Sequence, residues 1–313
     1  MMINETRGRL TLPGVSQHAD GRVWWGKNMK TLITMLAAIL AMGVSSEIAV
    51  AARKATSAGQ RLHHELSDAG AKFRTQIQEI MASYRGIDEA NKLLKAAGAT
   101  FQKSLAADPA TVSRYTTPRQ QAVMAGVYLY DASYAALFFR KREMVDFLEA
   151  RKTLNERVGF GVALTPKMKE LLERPDSIRD YDTWVAAVDE SMKKLLSEGL
   201  TTDKRLAFLV DTMYGASIEA LYVLTETIAQ SGYGPEMLGL LNQQQERVNA
   251  MRKMLNVFRY DEDFEKEVLF GQRFRVFEAI HSHMKAQQFT QKEVDELRKV
   301  VTPERTVIVK GQI

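Results

Sequence analysis

The chain has 313 residues, with 43 Lys and Arg against 38 Asp and Glu, 45% hydrophobic residues, 7 Pro and no Cys. This apolar content and a charged fraction of 26% are those of folded globular chains, which excludes wholesale disorder and a collagen-like repeat. Without cysteine there is no disulfide, thiolate metal site, iron–sulfur cluster, cysteine nucleophile or lipidated cysteine.

Residues 1–28 hold Pro13, Gly14 and the pair Trp24-Trp25 without helical periodicity, and read as an over-called start or an extension ahead of Met29-Lys30. From Lys30 a basic start leads into an apolar run of about 13 residues, Leu32 to Val44, and a small-residue end. That is the layout of a secretory signal peptide over 29–51. The run falls short of the ~20 residues that a bilayer-crossing helix needs, so the mature form is expected to have no membrane span. Ala49-Val50-Ala51 gives the A-x-A cleavage pattern, with the mature chain beginning at Ala52 in the periplasm or secreted. The mature chain carries 38 basic against 35 acidic residues, interleaved as in Arg140-Lys141-Arg142-Glu143, which argues against a nucleic-acid partner.

Residues 52–313 read as a single all-α domain, a bundle of about eight to ten helices, because apolar residues recur at three- and four-residue spacing. The periodicity predicts helices near 55–84, 88–107, 118–140, 143–158, 166–173, 178–198, 203–231, 235–257, 262–289 and 291–302. Thr117-Pro118 and Thr165-Pro166 each place an N-cap hydroxyl before a first-turn proline, and Thr290 with Glu293 has the capping-box spacing. Gly159-Phe160-Gly161, Gly199 and Gly232-Tyr233-Gly234-Pro235 are stops. Val307-Ile308-Val309 alternates too briefly to classify.

Tyr130-Asp131-Ala132-Ser133-Tyr134-Ala135-Ala136-Leu137 lines up with Tyr214-Gly215-Ala216-Ser217-Ile218-Glu219-Ala220-Leu221 at an offset of 84. Small residues in both segments would let two helix backbones approach closely, as two central helices of pseudo-symmetric halves; chance similarity between Ala-rich helices is the alternative.

The carboxylates inside these helices are the candidate functional groups. Asp211, Gly215, Glu219, Tyr222 and Glu226 share one helix face, and Asp131 shares another with Tyr128, Ala135 and Phe138. Buried carboxylates need partners. Tyr128, Asp131, Tyr134, Asp211, Glu219 and Tyr222 therefore outline a candidate polar and aromatic pocket, against the alternatives of a structural network or a wet polar edge. Glu278 and His281 form one Glu-x-x-His where a di-iron bundle needs two, so a surface pair is the better reading and no metal or cofactor is expected. No G-x-S-x-G, Walker loop, dinucleotide fingerprint or H-E-x-x-H occurs. Ser133 and Ser217 sit mid-helix, where a hydroxyl bonds back to the preceding turn.

The segments Leu93-Leu94-Lys95-Ala96-Ala97-Gly98-Ala99-Thr100-Phe101, Ala125-Gly126-Val127-Tyr128-Leu129-Tyr130-Asp131-Ala132-Ser133-Tyr134-Ala135 and Ile218-Glu219-Ala220-Leu221-Tyr222 resemble a family of exported all-helical bacterial proteins, many of them lipid-anchored. The resemblance runs from about residue 90 to 255. It implies a secreted helical domain with the Gly-Val-Tyr and Ile-Glu-Ala-Leu-Tyr segments on central helices, and it transfers no catalytic residue. The chain departs from the lipid-anchored members in having no Cys. Two functions follow as expectations: a non-enzymatic domain binding an envelope protein or other envelope component, or a carrier or sensor for an apolar small molecule held between helices 118–140 and 203–231. An enzyme of unrecognised type ranks behind both.

Overall fold

A computed structural model describes residues 91–159, 165–199, 203–258 and 268–313, all within one compact unit, Gly70–Ile313. The segment 29–51 read as a signal peptide, the stretch 1–28 read as an over-called start or extension, and the predicted helix 55–84 lie outside the described residues, which contain helices and no strand.

The helices in chain order are α1 Pro118–Leu137, α2 Lys141–Arg157, α3 Pro166–Glu173, α4 Tyr181–Gly199, α5 Asp203–Gln230, α6 Pro235–Gly239, α7 Asn242–Phe258, α8 Val268–His283 and α9 Gln291–Val309. Residues 91–96 end a further helix. Three starts, those of α1, α3 and α9, match the capping chemistry expected of them. Thr117 Oγ1 accepts from Gln120 N at 3.2 Å while Gln120 Oε1 accepts from Thr117 N at 3.0 Å. Thr165 Oγ1 accepts from Met168 N at 3.2 Å, and Glu293 accepts from Thr290 N at 3.0 Å. At Gly159 and Gly232 the chain turns into the left-handed region that a side chain disfavours, which ends α2 and α5.

Three expectations are corrected. The helix predicted over 88–107 stops at 96, because Gly98 adopts φ +87° and the chain beyond it runs as an irregular strap, with 3₁₀ turns at Lys103–Leu105 and Pro109–Arg114. The helix predicted over 235–257 breaks into α6 and α7. The helix predicted to stop at 302 continues to Val309 through Pro303. A proline inside a helix loses a backbone hydrogen bond. Here the residues after it offset that loss by tertiary bonding: Glu304 meets Tyr214, Arg305 meets Glu219, and Ile308 is buried.

The two central helices are α1 and α5, both apolar nearly all round and buried over most of their length. They run parallel, since partners advance together along both: Arg119 with Asp211, Val123 with Gly215, Gly126 with Thr212 and Ala216, Asp131 with Glu219. At the crossing the backbones touch. A methyl group on Gly126 would lie 1.8 Å from the Thr212 carbonyl oxygen, and one on Gly215 would lie 2.0 Å from that of Val123. The small-residue approach is thus present, but Gly126 and Gly215 exchange it at an offset of 89 rather than at the 84 of the sequence match. Helix α1 also packs on α2, and α5 on α9 and α7, while α8 packs on α7 and α9 and reaches α5 through Arg273 and Phe277. Against α1, α4 places Trp184, whose Nε1 donates to Ser133 Oγ at 3.1 Å. That hydroxyl in turn donates to the Leu129 carbonyl one turn back, at 3.1 Å.

Candidate functional site

The strap 98–116 has few backbone partners of its own, and one face of α1 supplies them. Gln121 Nε2 donates to the Tyr115 carbonyl at 3.1 Å and Tyr128 Oη donates to the Asp108 carbonyl at 3.1 Å. Asp131 Oδ2 accepts from Ala107 N at 3.0 Å, while Tyr134 Oη donates to the Thr100 carbonyl at 3.2 Å and accepts from Gln102 N at 3.1 Å. These residues are spaced seven, three and three apart, one stripe of a helix. Tyr128, Asp131 and Tyr134 are therefore the buttons that hold an irregular segment flat. Burial pushes the pKa of the Tyr128 hydroxyl well above the usual range and raises that of Tyr134, so both stay protonated as donors.

Below the strap sits a buried charge cluster. Asp131 and Glu219 are both fully buried, and their carboxyls face one another within hydrogen-bonding reach. Glu219 is held bidentately: Arg305 Nε donates to Oε2 and Nη2 to Oε1, each at 3.0 Å. The same Nη2 donates to the Leu105 carbonyl at 3.0 Å, and the guanidinium lies 4.5 Å over the Tyr222 ring. Burial, reinforced by the Glu219 charge, pushes the Asp131 carboxyl well above the ordinary carboxylate range, with the Ala107 N–H and Arg305 pulling against it. Burial also raises Glu219, opposed by Arg305. Burial lowers the Arg305 guanidinium, but the Glu219 charge and hydrogen bonds raise it further, so it stays charged.

Asp211 belongs to a second cluster. It pairs with Arg273 and, at 3.4 Å, with Arg119. Arg273 lies 5.2 Å over the Tyr214 ring, whose hydroxyl donates to Glu304 at 2.7 Å. The six residues expected to outline one pocket thus divide: Asp131, Glu219 and Tyr222 gather around Arg305, Tyr128 and Tyr134 carry the strap, and Asp211 stands apart. The space between α1 and α5 expected for an apolar guest is closed at the crossing by backbone contact.

The residue that sequence reasoning missed is Arg305. Its signal was available as a seven-residue match: Glu219 and Glu226 on α5 face Arg305 and Arg298 on α9, the latter bonding Glu226 at 3.1 and 2.8 Å. Ending α9 at 302 hid it. Glu278 of the single Glu-x-x-His bonds Arg252 at 3.1 Å.

The outer side of the strap forms one wall of an open groove of about 550 Å³, and α2 forms the other. Asp108 comes from the strap and Glu143, Asp146 and Glu149 from α2, against Lys103, with Phe147 at the floor. Ala107 lines this groove on one side and bonds Asp131 on the other, so groove and buried cluster share the strap. No group of acids and histidines among the described residues has the geometry of a metal site. No described helix is long and apolar enough to cross a membrane. Comparison with protein families, curated proteins and solved structures returns no match to the chain.

Proposed function

We propose that the chain is exported and works as a non-enzymatic binding domain of the cell envelope, taking a basic segment of a partner protein into the groove between the strap and α2. The carrying observation is how the acids are divided. Three acids of α5 are committed to internal cations: Glu219 to Arg305, Glu226 to Arg298, and Asp211 to Arg273 and Arg119. Asp146 and Glu149, with Asp108 whose Oδ1 also accepts from Ala110 N at 3.0 Å, line an open groove where a Lys or Arg side chain would meet their charge. Export is supported by the sequence over 29–51.

The test is photo-cross-linking in the periplasm of the host from a reactive residue at Thr153, beside a chain reversed at Asp146→Lys and Glu149→Lys. A discrete cross-linked partner that disappears on charge reversal, together with a mature mass beginning at Ala52, is the expected result. Cross-links indifferent to the reversal, or a cytosolic chain retaining residues 1–51, would refute it.

A further inference from the structure

We propose that Asp131 carries a proton in the folded protein, donates it as a hydrogen bond to Glu219, and through that bond keeps the strap seated as a wall of the groove. Of the four carboxyl oxygens, three already accept one hydrogen bond each: Asp131 Oδ2 from the Ala107 N–H and both Glu219 oxygens from Arg305, which leaves each Glu219 oxygen a second lone pair able to accept from Asp131. Asp131 Oδ1 is buried, meets no donor among the described residues, and belongs to the carboxyl that faces Glu219. One guanidinium balances one carboxylate, and a second bare carboxylate with no exposure to water is strongly unfavourable. A single shared proton supplies the missing donor and removes the excess charge together.

The groups around the pair come from every element packed on it. The strap gives the Ala107 N–H and the Leu105 carbonyl, α5 gives Glu219 and Tyr222, and α9 gives Arg305. Tyr128, Tyr130 and Tyr134 come from α1 itself, all kept neutral by burial, and Arg247 of α7 acts on Tyr130. Of these, Arg305 is the cation in direct contact with the pair, and it is bound to Glu219. When the proton leaves, Asp131 is the member free to move, and the amide it moves with is that of Ala107, whose residue lines the groove.

The sign of the linkage follows. An unfolded Asp releases its proton near pH 4, whereas the native carboxyl holds it to higher pH. Between those limits the folded chain binds the extra proton, so stability falls as pH rises through that window.

The proposal goes beyond the groove reading and rests on it only for what the wall does; none of the following readouts involves a partner. Infrared spectra and thermal melts compare the mature protein with Asp131→Asn from about pH 5 to about pH 9. The expected result is a buried protonated-carboxyl band in the native protein at neutral pH that is missing from the variant, together with a melting temperature that declines with pH more steeply in the native protein. The Asn amide can donate to Glu219 and accept from Ala107, so Ala107 amide exchange, corrected for its intrinsic rate, is expected to be roughly tenfold slower in the variant at the alkaline end. Absence of the band, or parallel melting curves, overturns the proposal. If the variant does not fold, calorimetry of the native protein in two buffers decides: uptake of about one proton on folding near neutral pH supports it, and no uptake overturns it.

Discussion

Gly126 and Gly215 touch the facing backbone, while Gly239 at the end of α6 has nothing within 4 Å of where a Cβ would sit. The same substitution therefore has opposite signs. In a helix interior Ala gains up to about 1 kcal/mol over Gly, but at Gly126 the methyl must push two backbones apart. Gly126→Ala is expected to lose about 2–3 kcal/mol in urea unfolding, and Gly239→Ala to be neutral or gain up to about 1 kcal/mol. Arg305 and Arg151 form a similar contrast. Removing Arg305 leaves Glu219 buried without its cation, so Arg305→Ala should cost about 3–5 kcal/mol. Arg151, 4% exposed on α2, has its Nε without an acceptor among the described residues, and burial pushes its guanidinium down to about 10. Arg151→Met keeps the apolar stem and removes the desolvated charge, and is expected to raise the unfolding midpoint, by about 1–3 kcal/mol of stability.

Helix α9 fixes its register on α5 by two antiparallel ion pairs two turns apart, Glu219 with Arg305 and Glu226 with Arg298. They differ in worth. Arg298 is 34% exposed, so a double-mutant cycle on Glu226 and Arg298 should return a coupling of only about 0.2–1 kcal/mol, well below the inner pair. The central helices and their caps were legible in the sequence because Thr117, Thr165 and their prolines act locally and the apolar periodicity of 118–137 and 203–230 is unbroken. What was not legible depends on partners far along the chain. The strap looks helical by composition, yet its amides and carbonyls bond to α1 side chains 20 to 34 residues away. Pro303 reads as a stop because its local effect is a lost bond, and only Glu219 and Tyr214, about 90 residues earlier, reveal why the helix goes on. For the candidate site, burial of Asp131 and Glu219 was anticipated as one option, while the arginine that makes it tolerable was not.

At the scale of the whole molecule, distant segments converge on the strap. Tyr115 Oη donates to the Val309 carbonyl at 2.9 Å, Gln120 Nε2 donates to the Gly311 carbonyl at 3.0 Å, and Arg305 reaches Leu105 across 200 positions of sequence. Such separations place this fold among the slower helical ones, since long loops must close before the contacts reward them. The feature with the widest consequence is that the cation for the central acid pair comes from residue 305. On the ribosome, a nascent chain ending before that point would have to bury Asp131 and Glu219 around an empty place, so the bundle cannot close before residue 305 is made. A chain stopped at residue 297 is expected to remain protease-sensitive where the full chain resists. The timing of folding, as much as its end state, is thus written into where one arginine stands.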